Sequence, residues 1–332
     1  MARVRDLARN RPDDTALTVV DATGDRRFSY AALDARVRAL AAVLAGAYAV
    51  NDRALLLMDN NEHYVTGFFA CMYAGLIPVP VFPPESVRRQ QLARVAAIAA
   101  DCAARCVLTT ADLRDAIAPF EDLWAGADML AIDGELGEAG AARANFEPDG
   151  EQIAFLQYTS GSTSAPKGVM VSHANLMANE AAIAERLGAN PGDVWVSWLP
   201  LYHDMGLIGG LLQPLYRGIP CVLMSPRYFL ERPMRWPEAV AAYGGTHSGG
   251  PDFSYRLCLE RAKPERLAQL DLSRWRVAFS GAEPVRHDTL RDFLAAFAPA
   301  RLATGAVYPC YGLAEATLLV TGGVSGCLLY TS

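Results

Sequence analysis

No paired Cys-x-x-Cys motif, no surplus of positive charge, no tandem repeat and no low-complexity block occurs in this chain. Its seven cysteines stand singly at 71, 102, 106, 221, 258, 310 and 327, a scatter that argues against structural zinc and a disulfide scaffold and for reduced thiols. The formal charge of −6 argues against a general nucleic-acid binder. A charged start, Met1-Ala-Arg-Val-Arg-Asp-Leu-Ala-Arg9, has no apolar core of signal-peptide type behind it, so a cytoplasmic protein is expected. Tyr64 to Pro84 carries no charge, but Gly67, Gly75, Pro78, Pro80, Pro83 and Pro84 interrupt it. A buried helix over Glu62–Ala74 and a buried strand over 77–82 are predicted there, and no transmembrane segment. Gly-x-x-x-x-Gly-Lys-[Ser/Thr] is also missing, which excludes a Walker A loop.

What is present is an apolar chain of 332 residues, 52% hydrophobic and 20% charged, large enough for two lobes. Ser29 is placed to cap a helix with its stripe at Leu33, Val37, Leu40 and Leu44, and Ser86 to open another with Leu92, Val95, Ile98 and Cys102. Strands are predicted at 53–58, 105–109, 193–198, 220–224 and 275–279, with helices at 175–187, 207–216, 235–243, 253–262 and 285–297. That alternation implies an α/β fold with parallel units. A Gly-, Ala- and acid-rich connection at 134–150 divides it into a first α/β portion at 1–150 and a second at 151–321, with 322–332 as an uncertain tail.

The chemically densest segment is Tyr158-Thr-Ser-Gly-Ser-Thr-Ser-Ala-Pro-Lys167-Gly-Val-Met-Val-Ser-His173, set between an apolar strand and a helix beginning near Ala174. Gly161 and Gly168 let the backbone turn closely, Ser160, Ser162, Thr163 and Ser164 supply hydroxyls, and Lys167 supplies charge. Successive N–H groups in such a turn form a nest for phosphate oxygens; the same composition also suits a flexible polar loop. Downstream stand Leu199-Pro-Leu-Tyr-His203-Asp-Met-Gly206, Gly244-Gly-Thr-His247-Ser-Gly-Gly-Pro251, Phe279-Ser-Gly-Ala-Glu283-Pro284 and Tyr308-Pro-Cys-Tyr311-Gly-Leu-Ala-Glu315-Ala-Thr317. The first follows a predicted strand end and the second lies near another likely one, where α/β proteins present ligand-facing groups. His203 paired with Asp204 in a turn, His247 as a packed residue and Glu283 as a helix-opening carboxylate are the structural alternatives.

Taken together, these segments resemble the adenylate-forming superfamily and, within it, the fatty-acyl-AMP ligases, relatives of the acyl-CoA synthetases; the resemblance runs from about Phe28 to Thr321. It implies the two packed α/β subdomains of that family's N-terminal domain. It implies ATP phosphates held by Thr159, Ser160, Gly161, Ser162, Thr163, Ser164 and Lys167, and adenine beside Gly281, Ala282, Tyr311 and Gly312. Trp198, His203, Ser248, Gly249 and Gly250 are implied to border the substrate, and Glu315 to ligate Mg²⁺. Lys167, His203 and Glu315 are the implied catalytic set. The implied reaction is attack of a fatty-acid carboxylate on the α-phosphorus of ATP, then transfer of the acyl group to an acyl carrier protein or a polyketide synthase carrier domain.

The same resemblance places a ribose-binding aspartate, a hinge and a C-terminal domain with a further lysine downstream. The C-terminal domain is therefore expected to be absent from this stretch, which is expected to bind nucleotide weakly and to adenylate poorly. An acyl-CoA synthetase and a non-catalytic ATP- or acyl-binding module are the alternatives.

Overall fold

The computed structural model describes residues 1–84, 86–124, 126–134, 146–159 and 166–323. They form two compact units, one of Met1–Asp14 with Phe28–Met177, the other of Thr15–Arg27 with the chain from Ala178 onward.

In the first unit a parallel sheet runs in the order Ile77–Val81, Arg53–Leu57, Cys106–Thr109, Asp128–Ala131. Ser29 accepts from the Ala32 N–H at 3.2 Å and starts helix Tyr30–Ala47, whose Leu33, Val37, Leu40 and Leu44 are buried as their spacing predicts. Asn61 caps helix Glu62–Ala74 by accepting from Tyr64 N–H at 2.9 Å, and Gly75 ends it in the left-handed region at φ 81°. Every residue from Tyr64 to Ala74 is buried, which explains the charge-free stretch, and among the described residues no helix is long and apolar enough to cross a membrane. Pro78 and Pro80 recur every second residue of an edge strand, so their missing N–H groups fall on one side and interrupt no internal ladder. Ser86 is not a cap: helix Arg89–Asp101 starts three residues later, and the Ser86 N–H and hydroxyl both donate to the Gln91 side chain.

The first unit extends to Met177. An antiparallel pair, Ile153–Thr159 with Lys167–Ser172, belongs to the first unit, where Phe155 packs edge-on against Phe68 with ring centroids 5.9 Å apart.

The second unit holds an eight-stranded sheet in the order Leu319–Gly322, Val307–Gly312, Val277–Ser280, His247–Gly250, Trp195–Ser197, Cys221–Met224, Thr15–Asp21, Gly24–Ser29. All pairings from Val307–Gly312 across to Thr15–Asp21 are parallel. Its central strands are buried at every position, as in parallel sheets covered on both faces. Beneath them Trp236, Tyr255, Trp275 and Phe293 form edge-on pairs with centroids 5.0–5.3 Å apart. His247 is part of this core. It stacks on Trp195 at 4.9 Å, shares a hydrogen bond with Thr246 Oγ1 at 2.9 Å, and burial lowers its pKa.

Candidate active site

Because four adjacent strands are parallel, their carboxyl ends lie along one edge of the sheet, in the order Val307–Gly312, Val277–Ser280, His247–Gly250, Trp195–Ser197. That edge carries Tyr311, Gly281 with Ala282, Gly250, and Trp198 with the turn to His203. Four of the segments singled out in the sequence therefore arrive as neighbours, at the place where open α/β sheets bind ligands.

Direct contacts link them. The buried Trp198 stacks on Phe229 at 3.9 Å and meets Phe253 edge-on at 6.1 Å. Phe253 N–H in turn donates to Glu283 Oε1 at 2.7 Å, so Glu283 caps helix Asp252–Arg261 rather than the helix that follows it. Asp252 reciprocates, accepting from Arg286 N–H and Thr289 Oγ1, both at 3.0 Å. This cross-stitch holds the exposed Ala282, whose φ of 68° is unusual for a residue with a Cβ. A Cβ on Gly281 would lie 2.9 Å from the Cys310 carbonyl, and one on Gly312 would strike the Leu318 carbonyl. Leu318 itself reaches to 3.3 Å from the Cβ position of Gly209, in the helix that follows His203.

His203 ends a turn tied by its N–H to the Pro200 carbonyl at 3.1 Å. Its Nδ1 lies 2.7 Å from Asp204 Oδ1, which also accepts from Met205 N–H at 2.6 Å. That N–H is 3.3 Å from Nδ1, so the carboxylate is its nearer acceptor and Nδ1 is placed to donate to Asp204. Nε2 has no partner among the described residues, and about half of the side chain is exposed. The next segment, Met205–Leu212, is a π-helix, wholly buried, with Gly206 pressed on the Pro200 carbonyl and Gly210 on Ser197 Oγ, which makes no hydrogen bond among the described residues. Helical segments of that type recur at functional sites.

The carboxyl edge has an inner and an outer set of residues. Ser248 is fully buried; its hydroxyl donates to the Val196 carbonyl at 2.6 Å and accepts from Trp236 Nε1 at 2.7 Å. Gly249 faces Phe279, and a Cβ on Gly250 would lie 2.6 Å from Trp198 Cζ2, so protein atoms already fill the space these glycines leave. Trp198 Nε1 is buried with no acceptor among the described residues. Tyr311, 58% exposed, and the exposed Glu315 stand in the outer set. No cation pairs with Glu315 among the described residues, and no group of three or more metal-ligating side chains occurs there. A single free carboxylate suits Mg²⁺, which binds through one or two carboxylates together with phosphate oxygens and water.

In the first unit, Thr159 and Lys167 close the antiparallel pair as opposite residues, at either end of the connecting segment. Lys167 opens a strand rather than preceding the helix directly, and helix His173–Leu187 begins only after Ser172. It is exposed. Tyr158 lies opposite Gly168, whose absent Cβ would be 2.9 Å from Tyr158 Cζ, so the ring covers the glycine and stiffens the base of the connection. Ser160, Gly161, Ser162, Thr163 and Ser164 lie outside the described residues. The pairing of His203 with Asp204 is the one that the turn reading of the sequence offered.

Comparison with known proteins gives one consistent result. The sequence model of the family described as AMP-binding enzyme matches residues 4–328, wider at both ends than the motifs alone delimit. The medium-chain-fatty-acid–[acyl-carrier-protein] ligase JamA of Moorena producens is 41% identical over 298 residues, which is 88% of this chain and 50% of that protein. The putative fatty-acid–CoA ligase fadD25 of Mycobacterium tuberculosis is 36% identical over 342 residues, 97% of this chain and 58% of its own length. Among solved structures, the fatty acyl-adenylate ligase from L. pneumophila in complex with acyl adenylate and pyrophosphate superposes with a TM-score of 0.90 at 39% identity, covering 98% of this chain and 57% of that one. The fold is that of the N-terminal domain of adenylate-forming enzymes, and the chain spans about half the length of the curated relatives it matches.

Proposed function

Since this chain belongs to the AMP-binding enzyme family, we propose that it forms the nucleotide- and acyl-binding part of an enzyme that activates a fatty acid as acyl-AMP. One observation carries the reading: the unbroken run of contacts along the carboxyl edge, from Trp198 through Phe253 and Glu283 to Ala282, and from Gly281 through Cys310 and Gly312 to Leu318 and the His203 helix. A cytoplasmic setting suits its free thiols.

In the proposed reaction an oxygen of the fatty-acid carboxylate bonds to the α-phosphorus of ATP and the bond to the bridging oxygen breaks, releasing pyrophosphate. No covalent protein nucleophile is needed, so catalysis rests on positioning and on charge stabilisation. His203, its Nδ1 held by Asp204, orients the reacting carboxylate next to the segment that Trp198 opens. Tyr311 flanks adenine above the backbone of Gly281, Ala282 and Gly312. Gly249 and Gly250 contribute strand-end backbone, which the Ser248 hydroxyl holds in place. Thr159 and Lys167 anchor the phosphate connection, with Ser160, Gly161, Ser162, Thr163 and Ser164 supplying its donors. Glu315 is the residue that would hold Mg²⁺, which when bound neutralises phosphate charge.

The named relatives divide between carrier-protein and CoA acceptors. The carrier protein is favoured here because JamA, named for an acyl-carrier-protein acceptor, shares 41% identity with this chain, against 36% for fadD25. The test is ATP–pyrophosphate exchange by the full natural protein, with fatty acids of graded length and then either loaded carrier protein or CoA. Exchange that requires a fatty acid, followed by acyl transfer to the carrier, is expected. Absence of exchange with every fatty acid removes the activity, and efficient acyl-CoA formation removes the carrier preference.

A further inference from the structure

The turn that presents Glu315 contains the most unusual backbone of the second unit. Thr317 has φ 72° and ψ −62°, and Leu318 N–H donates to the Ala316 carbonyl at 3.0 Å across it. Those values define the rare, strained form of the γ-turn, and a β-branched residue is poorly suited to it. Inside the loop, Leu313 N–H donates to the Leu318 carbonyl at 3.0 Å and Thr317 N–H to that of Ala314 at 2.9 Å. A strained conformation persists only where the surroundings over-determine it.

Among the described residues, one side chain from outside the loop hydrogen-bonds to it. Asn179, in helix His173–Leu187, donates through Nδ2 to the Leu319 carbonyl at 3.0 Å and to that of Ala316 at 3.4 Å, while its Oδ1 accepts from Leu319 N–H at 3.0 Å. The amide thus takes both backbone groups of Leu319, as a neighbouring strand would, and spans the two sides of the γ-turn. We infer that Asn179 is a positioning residue for nucleotide binding: it locks the Thr317 turn and so fixes where Glu315 and Tyr311 point. This role rests on the nucleotide-binding reading above.

The experiment compares wild type, Asn179→Ala, Asn179→Gln and Asn179→Ala combined with Thr317→Gly in the full natural protein. Calorimetric AMP binding is measured beside ATP–pyrophosphate exchange. Asn179→Ala is expected to weaken AMP at least fivefold and to raise KM for ATP by a similar factor, while KM for the fatty acid stays within twofold. Thr317→Gly adopts the positive φ without strain, so adding it is expected to recover at least half of the lost affinity. Asn179→Gln, which keeps the amide, covers the case in which the alanine variant fails to fold; a twofold or larger loss of AMP affinity supports the role. A Val240→Ala control, in the core of the same unit, is expected to lower stability and leave KM for ATP unchanged. AMP affinity within twofold of wild type in a folded Asn179 variant, or proportional rises in both KM values, overturns the inference. Wild type that binds AMP yet exchanges no pyrophosphate overturns the proposed reaction instead, and the AMP measurements still decide the role of Asn179.

Discussion

Replacing Ser248 by alanine separates a core role for its hydroxyl from a ligand-binding one. The hydroxyl is inaccessible and makes two hydrogen bonds, from Trp236 Nε1 at 2.7 Å and to the Val196 carbonyl at 2.6 Å. Alanine removes both and leaves the Trp236 N–H buried without an acceptor, inside a cluster where Tyr255 and Trp275 pack edge-on against its ring. A lost net hydrogen bond costs about 1 kcal/mol and an orphaned buried donor about 1–3 kcal/mol, so Ser248→Ala is expected to lose about 2–4 kcal/mol. Urea unfolding followed by tryptophan fluorescence reads this as a lower midpoint at unchanged slope. Trp236→Phe removes the same donor. The double variant is therefore expected to cost at least about 1 kcal/mol less than the sum of the two single changes. Affinity for AMP and for fatty acid in the folded fraction is expected to stay within twofold. A stability loss under about 1 kcal/mol together with a tenfold loss of either affinity would show that the hydroxyl faces ligand, and would refute the reasoning.

Gly250→Ala puts a Cβ 2.6 Å from Trp198 Cζ2 and 2.8 Å from Ser254 Oγ. The Trp198 ring is stacked on Phe229, so overpacking by about 1–3 kcal/mol is expected in urea unfolding; unchanged stability would mean that the ring moves freely. Glu180 is buried, its Oε1 has no partner among the described residues, and burial raises its carboxyl pKa well above the ordinary value. The folded protein then keeps a proton that the unfolded chain loses, so this residue erodes stability as pH rises above about 4.5. Glu180→Gln is expected to add about 1–3 kcal/mol at pH 8 and nothing at pH 4; an equal effect at both would contradict the assignment. For His173 burial acts in the opposite direction, lowering its pKa to about 4 from 6.5. Here the unfolded chain holds the extra proton, so this contribution is complete above pH 6.5 and is lost as pH falls toward 4. With partial exposure discounted it amounts to about 1–2 kcal/mol, and His173→Asn is expected to flatten that limb of the stability–pH curve.

The elements readable in the sequence were those whose local chemistry and burial agreed. Ser29 caps where it was placed, and the stripe Leu33, Val37, Leu40, Leu44 faces the core, because a helix with one buried side prints its period in the sequence. Lys167–Ser172 left no such print. Half of its residues are exposed, and Gly168 with Pro166 just before the strand reads as loop. Met205–Leu212 is buried all round, so apolar spacing gives no means of telling a π-helix from an α-helix there. The pairing of Thr15–Asp21 with Cys221–Met224 depends on contacts across some two hundred residues, which no local pattern encodes. The site segments were legible as glycine-rich motifs beside a few reactive side chains. What those glycines face was not, because it depends on a different strand in each case.

That difference bears on how the carboxyl edge makes room for a ligand. Gly249, Gly250, Gly281 and Gly312 each lack a side chain where another part of the protein already stands: Phe279, Trp198, Cys310 and Leu318. Their smallness therefore lets strands and loops close on one another, and ligand space has to come from the exposed outer residues, His203, Ala282, Tyr311 and Glu315. An inner substitution disturbs packing or a buried hydrogen bond and must register in unfolding. An outer substitution meets little protein, so its effect belongs almost entirely to ligand affinity or turnover. Asn179 joins the two classes: its own contacts are structural, but the turn it restrains carries Glu315 on the outside. Loss of affinity without a matching loss of stability therefore assigns a substituted residue to the outer set or to its restraints, and a loss of stability assigns it to the inner shelf.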